Sequence, residues 1–143
     1  MIISTQLLDN LTAQAKESPR LRMNMDLRNS DADSSQRMLN AIEPGSVVPI
    51  HRHQKTSETV VLLRGRAVQE LYGDDGKCVA SIDLCACGDA RAKSGMTDAV
   101  CAMNIPAGQW HTLRALESGT VIMEMKDGAY EPIQECDILR KKE

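Results

Sequence analysis

The sequence of 143 residues is almost without aromatic side chains: it has no phenylalanine, two tyrosines and one tryptophan. Hydrophobic residues still make up 42% of the chain, which excludes wholesale disorder and allows one real core at this length. The core volume must therefore come from aliphatic residues and from the eight methionines. We predict a single domain over residues 1–143.

Dense basic runs are lacking as well, since the net charge is −3 and no Lys/Arg block precedes the short tail Arg140-Lys141-Lys142. This charge pattern argues against a nucleic-acid partner. The start of the chain, MIISTQLLDN, lacks the basic start and apolar run of a signal peptide, and no apolar stretch approaches membrane-spanning length. We therefore expect a cytoplasmic protein without a membrane partner.

The five cysteines lack a C-x-x-C pair, and their odd number disfavours a disulfide framework. Reduced thiols in the cytoplasm account for them better. Cys85 and Cys87 could supply two soft metal ligands, but partners at zinc-site spacing are missing.

A short helix is predicted at about residues 4–17, where Ser4 can cap the first turn and Pro19 stops the last. The stretch from Arg20 to Arg28 then alternates strictly between polar and apolar residues. Such alternation is typical of a strand with two unlike faces.

The remainder, to about residue 126, consists of short apolar runs separated by turn residues such as Asp74-Asp75-Gly76. Because no helical pattern interrupts these runs, we predict an all-β sandwich or barrel over about residues 20–126. A long loop is expected at 85–98, and the tail at 127–143 is unassigned. The predicted strands after the first are 36–43, 47–53, 57–64, 66–72, 77–84, 99–105, 111–116 and 120–126.

All three histidines fall in two short segments, the first of which runs from Gly45 to Gly65. Residues two apart on a strand point to the same face, so His51 and His53 project together. The short connection that follows reverses the chain and brings Glu58 back beside them.

The second segment is a tight turn, Pro106-Ala-Gly-Gln-Trp-His111, which places a third imidazole on another strand. Three neutral imidazoles and one carboxylate suit one divalent transition metal: Zn, Fe, Ni, Mn, Co or Cu. Four protein ligands leave a position for water or substrate if the metal is five- or six-coordinate. A closed tetrahedral zinc would instead be structural.

These two segments resemble the two cupin motifs. The pattern G-x5-H-x-H-x3-4-E-x6-G matches at every fixed position, and the second pattern, G-x5-P-x-G-x2-H-x3-N, matches at Pro106, Gly108 and His111. Val100 and Ala115 stand where the second motif has its first Gly and its final Asn. Both of those positions are structural in the motif, so the expected ligands are unaffected.

Within the cupins, the chain is most similar to the WbuC family of cupin-fold metalloproteins, along nearly its whole length. The resemblance implies an all-β cupin fold, a double-stranded β-helix or jelly-roll barrel, with a short N-terminal α-helix. It also implies a metal-binding barrel linked to surface-polysaccharide biosynthesis. The resemblance does not specify a reaction. The stretches that carry it are SPRLRMNMDLR (18–28), QRMLNAIEPGS (36–46), PIHRH (49–53), LLRGRAVQELYGDDGK (62–77) and IPAGQWHTLRALESGTVIMEMKDGAY (105–130).

Several polar or aromatic residues are candidates for binding substrate. Arg22, Asn24 and Arg28 share one face of the first strand, which is either solvated or turned into the barrel mouth, where arginines would bind an anionic group. The same question applies to Arg37. Trp110 either walls the pocket or packs elsewhere, and Tyr130 either closes the mouth or lies in the surface or core.

Two further patterns concern packing. The pairs Met23/Met25 and Met123/Met125 each lie on one strand face, where core filling is favoured over Cu(I) binding. Strand 57–64 is apolar on both faces, so its outer face needs a cover, and we predict a homodimer. The apolar face of the first strand could be covered in that dimer or by the N-terminal helix.

We predict a metal-dependent enzyme without an organic cofactor that acts on a small polar, possibly anionic, sugar-related metabolite. Isomerisation or epimerisation, lyase chemistry and oxygen-dependent oxidation all fit such a site. Catalytic residues cannot be assigned, because every histidine is used as a ligand. The alternatives are a non-catalytic small-molecule sensor or carrier and a barrel with a structural metal.

Overall fold

The computed structural model describes residues 1–88 and 100–140, so most of the loop predicted at 85–98 lies outside the described residues. The helix and strands agree with the sequence prediction to within a few residues, except that 47–53 contributes only a two-residue strand. The α-helix and strands are α1 (Thr5–Glu17), β1 (Arg22–Asp26), β2 (Ser35–Ile42), β3 (Ile50–His51), β4 (Glu58–Arg64), β5 (Arg66–Tyr72), β6 (Cys78–Cys85), β7 (Ala102–Ile105), β8 (Trp110–Ala115), β9 (Thr120–Asp127) and β10 (Ile138–Leu139), and a 3-10 helix at Glu135–Asp137 precedes β10. The described part contains no helix with the length and apolar character that a bilayer crossing requires.

The strands form two antiparallel five-stranded sheets, in the orders β1-β2-β9-β4-β7 and β10-β3-β8-β5-β6. The two sheets enclose the main core, and together they form the all-β jelly-roll barrel that the sequence predicts. This core is aliphatic throughout, as the lack of phenylalanine requires. Its buried members are Ile42, Val60, Leu62, Ala67, Leu84, Ile105, Leu113, Ala115 and Ile122.

Helix α1 covers the outer face of the first sheet. The Ser4 hydroxyl accepts a hydrogen bond from the Leu7 amide at 3.3 Å, as predicted for its cap. The buried Leu8, Leu11 and Ala15 pack against strands β2 and β9. The partly buried residues of this second cluster include Met23, Met25, Leu27, Leu63 and Met123.

The second cluster explains two of the sequence patterns. Three of the four paired methionines, Met23, Met25 and Met123, fill a core beneath α1, which supports the packing interpretation. Leu63 lies in the same cluster. The outer face of β4 is therefore covered at this residue by α1, and not by a second copy of the chain. The homodimer stays a prediction.

The tail, which the sequence left unassigned, returns to the strand that carries His51. Ile138 of β10 pairs with His51 of β3. The Asp137 carboxylate accepts hydrogen bonds from Arg52 Nε at 3.0 Å and Gln54 Nε2 at 2.7 Å, and these bonds hold the pKa of Asp137 below its usual value. The tail is therefore fastened at the open end of the barrel.

Candidate metal centre

The structure brings the four predicted ligands together at one end of the barrel. His51 of β3 pairs with His111 of β8, and Glu58 begins the facing strand β4. The ligand atoms of the four side chains all lie within 4.8 Å of one another. Glu58 Oε2 is 3.0 Å from His53 Nε2, and Glu58 Oε1 is 3.6 Å from His111 Nε2.

Backbone carbonyls orient two of the imidazoles. His51 Nδ1 lies 2.9 Å from the Pro49 carbonyl, and His111 Nδ1 lies 2.9 Å from the Gln109 carbonyl. A carbonyl only accepts, so each Nδ1 carries the proton and donates it. This tautomer leaves the lone pair of Nε2 directed at the cluster, as metal-ligating histidines require.

The residues fit a bound metal by two independent criteria. His111 Nε2 is buried and has no hydrogen-bond partner among the described residues, and a metal ion would satisfy that atom. Burial, followed by the neighbouring His111, lowers the pKa of His51 to about 4, so this imidazole is neutral at pH 7. Neutral imidazole is the form that binds metals.

Glu58 is ionised in the same pH range. Burial by itself would raise its pKa, but the positive charge of Lys126, whose ammonium lies 3.3 Å from Oε2, helps to hold the pKa well below its usual value. One carboxylate and three imidazoles, a group that binds metals in its neutral form, make a donor set suited to a divalent transition metal.

A cavity of about 300 Å³ opens beside the ligands. Three cationic side chains lie on its wall, and two carboxyl groups face them. Such a wall is suited to a polar, charged ligand of small size. The charged lining residues are Arg20, Arg22, Lys126, Glu58 and Glu124, and the tail contributes Tyr130, Ile133 and Ile138.

Three of the six predicted substrate-binding residues lie on this cavity: Arg22, Asn24 and Tyr130. The apolar residues of β1 pack beneath α1, so the alternating polar residues point into the barrel. Arg22 Nη1 also donates to the Val47 carbonyl at 2.9 Å, which fixes its position on the wall.

The other three lie outside the residues that line the cavity. Arg28 follows the end of β1 and pairs with Asp26 at 2.7 Å. Arg37 has the parity of Leu39, which packs outward beneath α1, and it pairs with Asp33 at 2.8 Å.

Trp110 precedes the inward-facing His111 on β8 and therefore faces outward. It packs with Ile50 and Tyr72, and its indole Nε1 donates to Asp74 at 3.0 Å. The Arg52 guanidinium lies 4.2 Å from the ring centroid in a cation–π contact.

Two residues on the cavity wall, Glu124 and Lys126, are missing from the sequence prediction. Lys126 Nζ lies 3.1 Å from His53 Nε2 and 3.3 Å from Glu58 Oε2. Burial, and next the negative charge of Glu58, raise the pKa of Glu124 to about 8. The signal was present in the alternation of β9, because placing Met123 beneath α1 turns its polar neighbours inward.

The raised pKa of Glu124 predicts a pH-dependent stability. Between pH 4.5 and about 8 the folded protein keeps a proton that the unfolded chain has lost, so its free energy of unfolding falls as pH rises. We expect Glu124→Gln to flatten this decline in metal-stripped protein, measured as Tm from pH 5 to 9. The exposed Glu131→Gln is the control, and parallel profiles for Glu124→Gln and the wild type would contradict the assignment.

Comparison with known proteins identifies a family and a fold. The family profile described as a domain of unknown function, DUF6016, matches residues 3–84, more than half of the chain. No curated protein sequence matches the chain.

Solved structures similar to this one include KdgF from Halomonas sp., at 14% identity and a TM-score of 0.58 over 79% of this chain and 84% of that one. Oxalate oxidase in complex with the substrate analogue glycolate matches at 14% identity and a TM-score of 0.62, over 83% of this chain and 57% of that one. Oxalate decarboxylase from Bacillus subtilis, a protein with Mn(II) centres, matches at 17% identity and a TM-score of 0.55, over 84% of this chain and 28% of that one.

The chain thus spans little more than half of the oxidase and about a quarter of the decarboxylase. At these identities the likeness concerns the fold. Within the described residues, two antiparallel sheets of five strands and one short α-helix, together with these neighbours, define a cupin jelly-roll fold, and a His3Glu donor set lies at one end of it. The chain belongs to the family described as a domain of unknown function, DUF6016, and it has the cupin fold, with four side chains so placed that they could hold a metal ion.

Proposed function

We propose that this cupin is a metal-dependent enzyme that acts on a small polar, anionic and sugar-related metabolite. The observation that carries the proposal is that three of the donors, His51, His53 and Glu58, lie on the wall of a cavity that also presents Arg22 and Lys126. A purely structural metal needs no such cavity. The Mn(II) centres of the oxalate decarboxylase and the glycolate in the oxalate oxidase support a metal that meets a small oxygen ligand.

A bound divalent metal would supply Lewis-acid polarisation of a ligand oxygen. The chain's own residues would bind and orient the ligand. Arg22, held by the Val47 carbonyl, presents its remaining N–H groups to an acid group. The Glu124 carboxyl, with its raised pKa, can hold a proton at its oxygen near neutral pH. Isomerisation or epimerisation, lyase chemistry and oxygen-dependent oxidation remain the candidate reactions.

A non-catalytic sensor or carrier is the second candidate. It is favoured by the fact that all three histidines of the chain are in the donor set, so no imidazole is left as a general base. Such a protein would use the same donors and the same cationic wall, and would release its ligand unchanged.

The cellular setting is a further part of the proposal. The similarity of long stretches to the WbuC family supports a role in surface-polysaccharide biosynthesis. Five free cysteines support a place in the reducing cytoplasm. The proposed homodimer is checked by light scattering of the eluting protein, where a mass near that of the 15.7 kDa chain would contradict it.

Turnover separates the two candidate functions. The protein is loaded with Mn²⁺, Fe²⁺, Co²⁺, Ni²⁺, Cu²⁺ or Zn²⁺ and incubated with sugar acids, sugar phosphates and nucleotide sugars, and products are followed by NMR. We expect metal-dependent conversion of at least one compound, and its loss in His51→Ala. Saturable binding without any conversion would support the sensor or carrier and contradict the enzyme.

A further inference from the structure

The cavity wall facing the donors carries more positive than negative charge. We infer that Lys126 and Arg22 form a subsite for an acid group of the ligand, while other ligand oxygens reach the metal centre. The inference rests on the proposed function and goes beyond it by naming the ligand class: a small hydroxy acid with a second acid group, carboxylate or phosphate.

The position of Lys126 is fixed by the sheet. Lys126 of β9 lies directly opposite Glu58 of β4 in the antiparallel register. Its side chain is 13% exposed, and its ammonium lies 3.3 Å from Glu58 Oε2. A cation that is largely removed from water needs an anionic partner close by.

Glu58 cannot serve two cations equally. A divalent ion held by His53 and Glu58 would draw the carboxylate charge to itself and would repel a neighbouring ammonium. Lys126 then faces the cavity, where Glu124 is the other carboxyl group on the wall. Glu124 also faces Arg22, so at most one carboxylate is available to two cations, and an acid group of the ligand would complete the balance.

The size and polarity of the cavity define the ligand further. About 300 Å³ suits an acid of a few carbon atoms. Asn24 and Asn40 line the same wall and offer amide groups to hydroxyls of the ligand. Arg22 and Lys126 favour oxyanions, which accept several charge-assisted hydrogen bonds at once.

Matched ligands test the subsite by titration calorimetry on Mn²⁺-loaded protein. Malate and lactate share the chelating hydroxy-carboxylate end and differ by one carboxylate. 3-Phosphoglycerate and glycerate differ by a phosphate in the same way. We expect the member with the extra acid group to bind about tenfold or more tightly in at least one pair, as a charge-assisted contact allows. The pair with the larger difference identifies the acid group.

Variants test whether Lys126 is responsible for the preference for the extra acid group. In Lys126→Gln the preference should fall to about threefold or less, since a neutral amide keeps one hydrogen bond and loses the charge. Metal content, measured in the same sample, should not decrease, because a positive charge beside the donors is removed. The exposed Lys77→Gln, a matched change remote from the cavity, should keep the full preference.

Equal binding within both pairs, no binding of any of the four acids, or a preference retained in Lys126→Gln would overturn the inference. Its failure is distinct from that of the proposed function. Metal-dependent turnover of an uncharged sugar would leave the enzyme standing and remove the subsite. Lys126-dependent binding of malate without turnover of any compound would support the subsite and contradict the enzyme.

Discussion

The variant His111→Ala is expected to lose bound metal. His111 Nε2 is buried without a hydrogen-bond partner among the described residues, and His111 pairs directly with His51 across two strands. Replacing this imidazole by a methyl group removes one of the four metal donors. The affinity should fall by more than the ~10–100-fold that loss of a hydrogen-bond partner behind a ligand typically costs. Elemental analysis of the purified, untagged variant measures the loss.

The control lies on the same strand. Arg114 is three residues further along β8, and its side chain is half exposed, so Arg114→Ala should keep its metal. His51→Ala, at a less buried position, guards against an unfolded His111 variant and should lose metal as well. Stoichiometric metal retained in both histidine variants would contradict the centre.

The variant Gly65→Ala is expected to destabilise the fold by about 3 kcal/mol, which combines strain at positive φ with overpacking. Gly65 has φ +82°, and a Cβ atom there would overlap Thr120 Oγ1 and lie 2.9 Å from Thr120 Cα. Thr120 is fully buried, and its hydroxyl is held by the carbonyls of Glu117 at 2.7 Å and Arg66 at 3.1 Å. It therefore cannot move aside, and Tm should fall by about 10 °C.

A matched glycine separates the two costs. Gly76 has a similar φ of +78°, but an added Cβ would meet only Leu139 Cδ2 at 3.7 Å, an ordinary contact. Gly76→Ala should cost about 1 kcal/mol, from the left-handed backbone alone. Equal destabilisation of the two variants in urea unfolding would show that crowding against Thr120 is not the reason for glycine at position 65.

The donors could be predicted from the two-residue spacing of the first histidines and from turn chemistry, although β3 ends at His51 and His53 follows it. His51 and His53 are two residues apart, and the turn residues before Glu58 and His111 place those side chains on facing strands. Gly65, the last residue of the first motif, is explained by its contact with Thr120. The helix could also be predicted, because Ser4 caps its start and Pro19 follows its end.

Alternation along β8 and β9 also determines which way their other side chains face. Trp110 adjoins the inward-facing His111, so it had to face outward. Glu124 and Lys126 alternate with Met123 and Met125 along β9, so the two pairs lie on opposite faces of the sheet. Once α1 covers Met123, these two residues turn into the barrel.

Other features depend on contacts between distant segments. The two-residue strand β10 has too little periodicity to be recognised, and its place is determined by pairing with β3 and by the Asp137–Arg52 ion pair. The charge of the cavity wall likewise emerges only when β1 and β9 are placed in one sheet.

Anomalous X-ray scattering at the absorption edge of the bound metal, measured on crystals of the untagged protein, tests the central claim most directly. One strong peak should lie among the Nε2 atoms of His51, His53 and His111 and the carboxylate of Glu58. A well-ordered crystal of metal-supplemented protein with no peak at that position, or with its only peak elsewhere, would contradict the account.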